Sequence, residues 1–101
     1  MQESEKFYKK LGISIGKREF KINDFNNLTE TEKNLLDTLI KNENTVVDMD
    51  KIGEVIFKND DYFSLYAISK TVQRLRDKFE ANGISGSYIQ TLRGKGYVLK
   101  N

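Results

Sequence analysis

Apolar and polar residues alternate over 11–15 and again over 18–22, on either side of Gly16-Lys17. That period of two predicts two short antiparallel strands joined by a tight turn, with Phe20 and Ile22 on one face. A turn-rich break follows at 24–27. The period then changes. Thr29-Glu30-Thr31-Glu32 has the form of a capping box, and Leu35, Leu36, Leu39 and Ile40 follow at helical spacing. A first helix is expected from about Glu30 to Lys41. Val46-Val47 reads as a very short strand. Asp48 reads as the cap of a second helix over 49–57, with Ile52, Val55 and Ile56 as its apolar stripe. The Gly53 within it weakens that helix by up to about 1 kcal/mol relative to Ala. A polar loop over 58–63 leads to Ser64, the expected cap of a third helix over 65–82 that Gly83 ends. Ile68, Val72, Leu75 and Phe79 stand four, three and four apart, so one face of that helix is apolar. Its opposite face carries Tyr66, Lys70, Gln73, Arg74 and Asp77, with Ser69, Thr71 and Arg76 on the flanks. Two strands, over 88–92 and 96–100, close the chain around the turn Arg93-Gly94-Lys95-Gly96.

The predicted order is strand, strand, helix, short strand, helix, helix, hairpin. This is an α+β arrangement: a winged helix-turn-helix with short N-terminal antiparallel strands, three helices and a C-terminal β-hairpin wing. A helix-turn-helix element followed by a two-stranded wing is one way to lay a helix in a major groove. Residues 1–10 carry charges of both signs and read as an N-terminal leader, with one domain over 11–101. The expected core is Leu35, Leu39, Ile52, Ile56, Ile68, Val72, Leu75, Phe79, Ile89 and Leu92. Tyr97 is expected to pack against the third helix.

Composition narrows the chemistry. The 101 residues include no Cys and no His. A disulfide framework, a thiolate nucleophile and the commonest general base and metal ligand are thereby removed, and neither an enzyme nor a metal or cofactor is expected. The acidic pairs Asp48/Asp50 and Asp60/Asp61 have no third ligand type beside them and read as helix-capping and solvated-loop residues. With no apolar run of membrane-spanning length and no signal-peptide pattern, a cytoplasmic location is expected. The net charge of +2 is unevenly spread: residues 1–64 carry −3 and residues 65–101 carry +5. A basic C-terminal third on an acidic body fits a face that meets a polyanion.

The motifs Leu28-Thr29-Glu30-Thr31-Glu32, Asn44-Thr45-Val46-Val47-Asp48, Gln73-Arg74-Leu75-Arg76-Asp77-Lys78-Phe79-Glu80 and Tyr88-Ile89-Gln90-Thr91-Leu92-Arg93-Gly94-Lys95-Gly96-Tyr97 follow in order. Together they resemble the C-terminal effector domain of OmpR/PhoB-type bacterial response regulators, over about residues 11–100. The resemblance implies a sequence-specific DNA-binding domain of a transcriptional regulator in a two-component system. Its third helix (65–81) would enter the major groove, and its wing, about 93–96, the adjacent minor groove. It implies further that Arg74 and Arg76 contact bases or phosphates and that Arg93 is the wing arginine. Direct repeats would be bound by head-to-tail pairs, and the loop from Lys58 to Ser64 would contact RNA polymerase. Gln73, Thr71 and Ser69 stand where that family often has Arg, His and Asp, a departure that bears on the sequence recognised. The family's N-terminal sheet usually has four strands, of which only two are legible here. A receiver domain of about 120 residues has no room in 101, so the chain reads as an excised effector domain, or as a stand-alone or differently fused relative.

The residue chemistry agrees. An exposed arginine fork matches the O6 and N7 acceptors of guanine, and the Gln73 amide matches adenine N6 and N7. Ser64, Lys70 and Thr71 suit phosphate contacts, which set register without reading sequence. Arg93 and Lys95 sit in a Gly-rich turn that exposes them to a narrow minor groove. The expected DNA-binding set is therefore Ser64, Tyr66, Ser69, Lys70, Thr71, Gln73, Arg74, Arg76, Arg93 and Lys95. Three blander readings stand beside it: a solvated helix face, an ordinary hairpin turn, and a phosphate-cradling Gly loop, the last poorly matched because no helix follows. At the level of the whole domain the alternative is a winged helix that docks its basic face on an acidic protein partner. A small hydrolase has neither Cys, His nor G-x-S-x-G to support it.

Overall fold

A computed structural model describes residues 13–16, 18–20, 27–57 and 64–101. The leader at 1–10, Leu11, Lys17, Ile22 and the loop residues 58–63, with Asp60 and Asp61, lie outside the described residues. The elements run β1 (Ile13–Ile15), β2 (Arg18–Phe20), α1 (Glu30–Lys41), β3 (Val47–Asp48), α2 (Met49–Phe57), α3 (Leu65–Ala81), a 3-10 turn (Gly86–Tyr88), β4 (Ile89–Leu92) and β5 (Gly96–Leu99). Strands β1 and β2 form an antiparallel pair with Ile13 opposite Phe20. The second sheet has the order β3-β5-β4, all antiparallel.

The caps form as the sequence dictates. The Thr29 hydroxyl accepts from the Glu32 amide at 3.1 Å, and the Glu32 carboxylate accepts from the Thr29 amide at 3.0 Å. The same Glu32 oxygen lies 3.0 Å from Lys78 Nζ, which also donates to the Asn27 carbonyl. The start of α1 is thus tied to the last turn of α3. The Asp48 carboxylate accepts from the Lys51 amide at 2.8 Å and caps α2. Helix α3 ends one residue before the expected boundary, with Asn82 at its C-cap. Gly83 (φ +78°) lets the Ile84 amide reach back to the Phe79 carbonyl at 2.9 Å. This left-handed exit satisfies carbonyls the helix would otherwise leave open and buries Ile84.

The core joins all three helices to the sheet. Leu35, Leu39, Ile52, Ile68, Val72, Leu75, Phe79 and Ile89 are buried as expected, together with Ile15, Leu36, Val47, Tyr97 and Leu99. Two expected members differ: Ile56 packs on the rim and Leu92 is half-buried. All four residues of β5 are buried because β5 is the central strand, flanked by β4 and β3. The expected strand at 88–92 is shorter, since Tyr88 belongs to the 3-10 turn.

Gly96, read as both the end of the turn and the start of the last strand, stands at the head of β5 opposite Asp48. A Cβ there would fall 1.9 Å from the Val47 carbonyl oxygen. The position excludes a side chain because the backbone of the paired strand β3 lies against it. Its neighbour Gly94 has φ +73° with open space around it, so there the backbone angle alone makes the demand.

Candidate nucleic-acid interface

Helix α3 divides its residues between two environments. Ile68, Val72, Leu75 and Phe79 are fully buried, which fixes the rotation of the helix. Tyr66, Ser69, Lys70, Gln73 and Arg74 are consequently exposed. Tyr66 keeps 72% of its surface in solvent, a large share for an aromatic ring in a core-facing helix. The Lys70 ammonium stands 5.7 Å from the centre of that ring, at the outer edge of cation–π range. Gln73 Nε2 donates to Asp77 one turn on at 3.1 Å, leaving its carbonyl and a second N–H to face outward. Ser64 caps the helix by accepting from the Ala67 amide at 3.2 Å, and its hydroxyl proton remains to be donated.

The wing supplies the second basic group. Strands β4 and β5 are joined by Arg93, Gly94 and Lys95, all exposed. The Lys95 amide closes the turn on the Leu92 carbonyl at 2.9 Å. The Lys95 carbonyl accepts from the Met49 amide at 3.2 Å, which pins the base of the wing to the first residue of α2. The tip therefore projects from a fixed base with both cationic side chains in solvent.

Two of the expected contact residues stand elsewhere. Thr71 is 7% exposed, and its hydroxyl donates to the Ala67 carbonyl at 2.9 Å, so the side chain is turned into the domain. Arg76 is half-buried and bends towards the hairpin. Its Nε and Nη2 donate to the Ile89 carbonyl at 3.0 and 2.8 Å, and Nη2 donates to the Thr91 hydroxyl at 2.9 Å. At 100° per residue both lie roughly 70° from the centre of the buried stripe, one on each side. The flank is shared between core and solvent, and packing decided each case. The remaining eight residues are placed at the end or exposed face of α3 and at the wing tip.

Among the described residues, no three Asp or Glu side chains come together in a group that could hold a metal ion. No described helix is long and apolar enough to cross a membrane.

A three-helix body with a C-terminal hairpin, a helix presenting a polar basic face and a cationic hairpin tip defines the winged-helix class. The family model "Transcriptional regulatory protein, C terminal" matches residues 23–99, and the chain belongs to that family. Protein RcaC of Microchaete diplosiphon is 34% identical over 74 residues, 73% of this chain and 11% of that protein. The transcriptional regulatory protein PhoP of Escherichia coli (strain K12) is 30% identical over 89 residues, 87% of this chain and 40% of that protein. The chain thus spans well under half the length of these relatives. Among solved structures, the DNA-binding domain of the response regulator AdeR, in complex with an intercistronic region, superposes with a TM-score of 0.66 at 29% identity over 74% of each chain. The family and fold are those of DNA-binding domains of transcription regulators, which are not enzymes. The OmpR/PhoB-type resemblance is borne out. The family match begins at residue 23, so the β1–β2 hairpin precedes the matched span.

Proposed function

We propose that this chain binds duplex DNA in a sequence-specific manner, with α3 in the major groove and the Arg93–Lys95 turn in the adjacent minor groove. One observation carries the reading: burial of one stripe of α3 leaves Arg74, Gln73, Lys70 and Tyr66 exposed together, in the same packed domain as an exposed Arg93. Arg74 and Gln73 would read base edges through bidentate contacts, each worth about 1–3 kcal/mol of discrimination. Ser64, Ser69, Lys70 and Lys95 would hold phosphates, and Arg93 would enter the minor groove, where negative potential concentrates. Similarity to the AdeR domain, described in complex with an intercistronic region, supports this use of the fold. On the same family resemblance we propose head-to-tail pairing on direct repeats and a polymerase contact through the loop at 58–64.

Titration of the domain with random-sequence duplex at low salt tests the reading. Micromolar association that weakens steeply as salt rises is expected, because non-specific affinity comes from neutralised phosphates. A domain that docks only on an acidic protein would show almost no association with such duplex.

A further inference from the structure

Arg76 is the one arginine of α3 whose guanidinium is engaged by the hairpin. Two of its nitrogens converge on the Ile89 carbonyl, and one of them reaches the Thr91 hydroxyl as well. Two further contacts lie alongside. The Gly86 amide donates to the Glu80 carboxylate at 2.7 Å, and a Cβ on Gly86 would stand 3.0 Å from Arg76 Cβ. The 3-10 turn that leads into β4 is therefore held against α3 at close range. The joint binds together residues 76 and 80 of the helix and 86, 89 and 91 of the segment that carries the wing. Ile89 and Thr91 are in β4, paired with Leu99 and Tyr97 of β5, so whatever holds β4 holds the whole hairpin.

We infer that Arg76 is a positioning residue of the proposed DNA interface: it locks the wing to α3 and so sets where Arg93 falls when α3 occupies the major groove. The inference rests on the reading of α3 and the wing given above. Its physical basis is the shape of the guanidinium. The planar fork delivers two N–H groups to one carbonyl and a third to a neighbouring hydroxyl, which fixes the orientation of β4 as well as its distance. A lysine ammonium keeps the charge but has no such fork. Arg76→Lys therefore separates positioning from phosphate attraction, since a simple phosphate contact needs only the charge. Thr91→Val removes one acceptor of the joint while keeping a β-branched residue in the strand.

The test is a double-mutant cycle on a duplex enriched by the wild-type domain from a random pool. Arg76→Lys is expected to weaken binding by about three- to tenfold, in line with the net worth of a typical hydrogen bond. Thr91→Val should act in the same direction and less strongly. With Arg93→Ala already present, both losses should shrink to less than about twofold, because the wing no longer has a contact to misplace. Residual dipolar couplings of the DNA-free domain should show β4 and β5 reoriented against α3 in the Arg76→Lys protein. Arg76→Lys and Thr91→Val losses of equal size with and without the Arg93→Ala substitution would overturn the inference and make Arg76 a direct contact. Unchanged couplings, or Arg76→Lys binding as tightly as wild type, would overturn it too. In all these cases wild-type binding survives, whereas failure of the wild-type domain to enrich any duplex removes the underlying reading with it.

Discussion

Arg74 and Arg76 are two residues apart on one helix and have different surroundings. Arg74 is exposed, whereas Arg76 is bound to Ile89 and Thr91. The Arg74 fork is the group best placed to read a base, so Arg74→Ala is expected to weaken specific binding by about 1–3 kcal/mol and to relax preference at one base pair. Lys70→Ala should weaken binding to all sequences about equally, because an ammonium on a phosphate carries no base information. Competitive binding against a panel of single-base-pair variants distinguishes the two patterns. At Gly96 the demand is steric. Gly96→Ala would put a Cβ against the Val47 carbonyl oxygen, and a thermal melt should show a loss of about 1–3 kcal/mol or more, from the displacement of β3. The exposure of Arg74 followed from the spacing of Ile68, Val72, Leu75 and Phe79 in the sequence. The engagement of Arg76 did not, because its partners lie 13 and 15 residues away and are a backbone carbonyl and a small hydroxyl without sequence signature. The demand at Gly96 was not legible, because its cause, the pairing of β3 against β5, is a tertiary contact.

At the scale of elements, the caps and the apolar periods were legible because they are local physics. The Thr29–Glu32 box, the Asp48 cap and the Gly83 exit each form within a few residues of themselves. What was not legible is that Glu32 serves two elements at once, bonding the Thr29 amide and pairing with Lys78 on α3. This double use separates two substitutions. Glu32→Gln retains an oxygen for the capping box and removes the charge, whereas Glu32→Ala removes both. Urea denaturation should show Glu32→Ala about 1 kcal/mol less stable than Glu32→Gln, the size of a lost cap interaction. Equal stabilities would mean that the capping bond contributes nothing beyond the ion pair. The joining of the N-terminal hairpin to the rest was equally hidden. The Asn101 side chain accepts from the Gly16 amide at 3.0 Å and donates to the Ser14 carbonyl and to Glu43, at 2.8 Å from the latter. The Asn101 amide donates to the Asn44 side chain at 2.8 Å. A single asparagine after the last strand has no periodicity through which a sequence could announce such a role.

At the scale of the molecule, charge and architecture point to one face. Residues 65–101 carry +5 in a chain whose residues 1–64 carry −3, and α3 and the wing tip, which present exposed cationic side chains, both fall in the basic part. Phosphates neutralised by cationic side chains set the slope of log affinity against log salt, and Lys70, Arg74, Arg93 and Lys95 together give roughly −3.6. Anisotropy titrations over a salt series measure it, and a slope near zero would contradict an electrostatic interface. The most direct test of simultaneous two-groove contact is backbone amide shift mapping of the domain on a duplex it has enriched from a random pool. The account predicts perturbations concentrated at the exposed residues of α3, from Tyr66 to Arg74, and at Arg93–Lys95, appearing together at one stoichiometry. Perturbation of α3 with Arg93, Gly94 and Lys95 unmoved, or changes confined to α1 and α2, would contradict it.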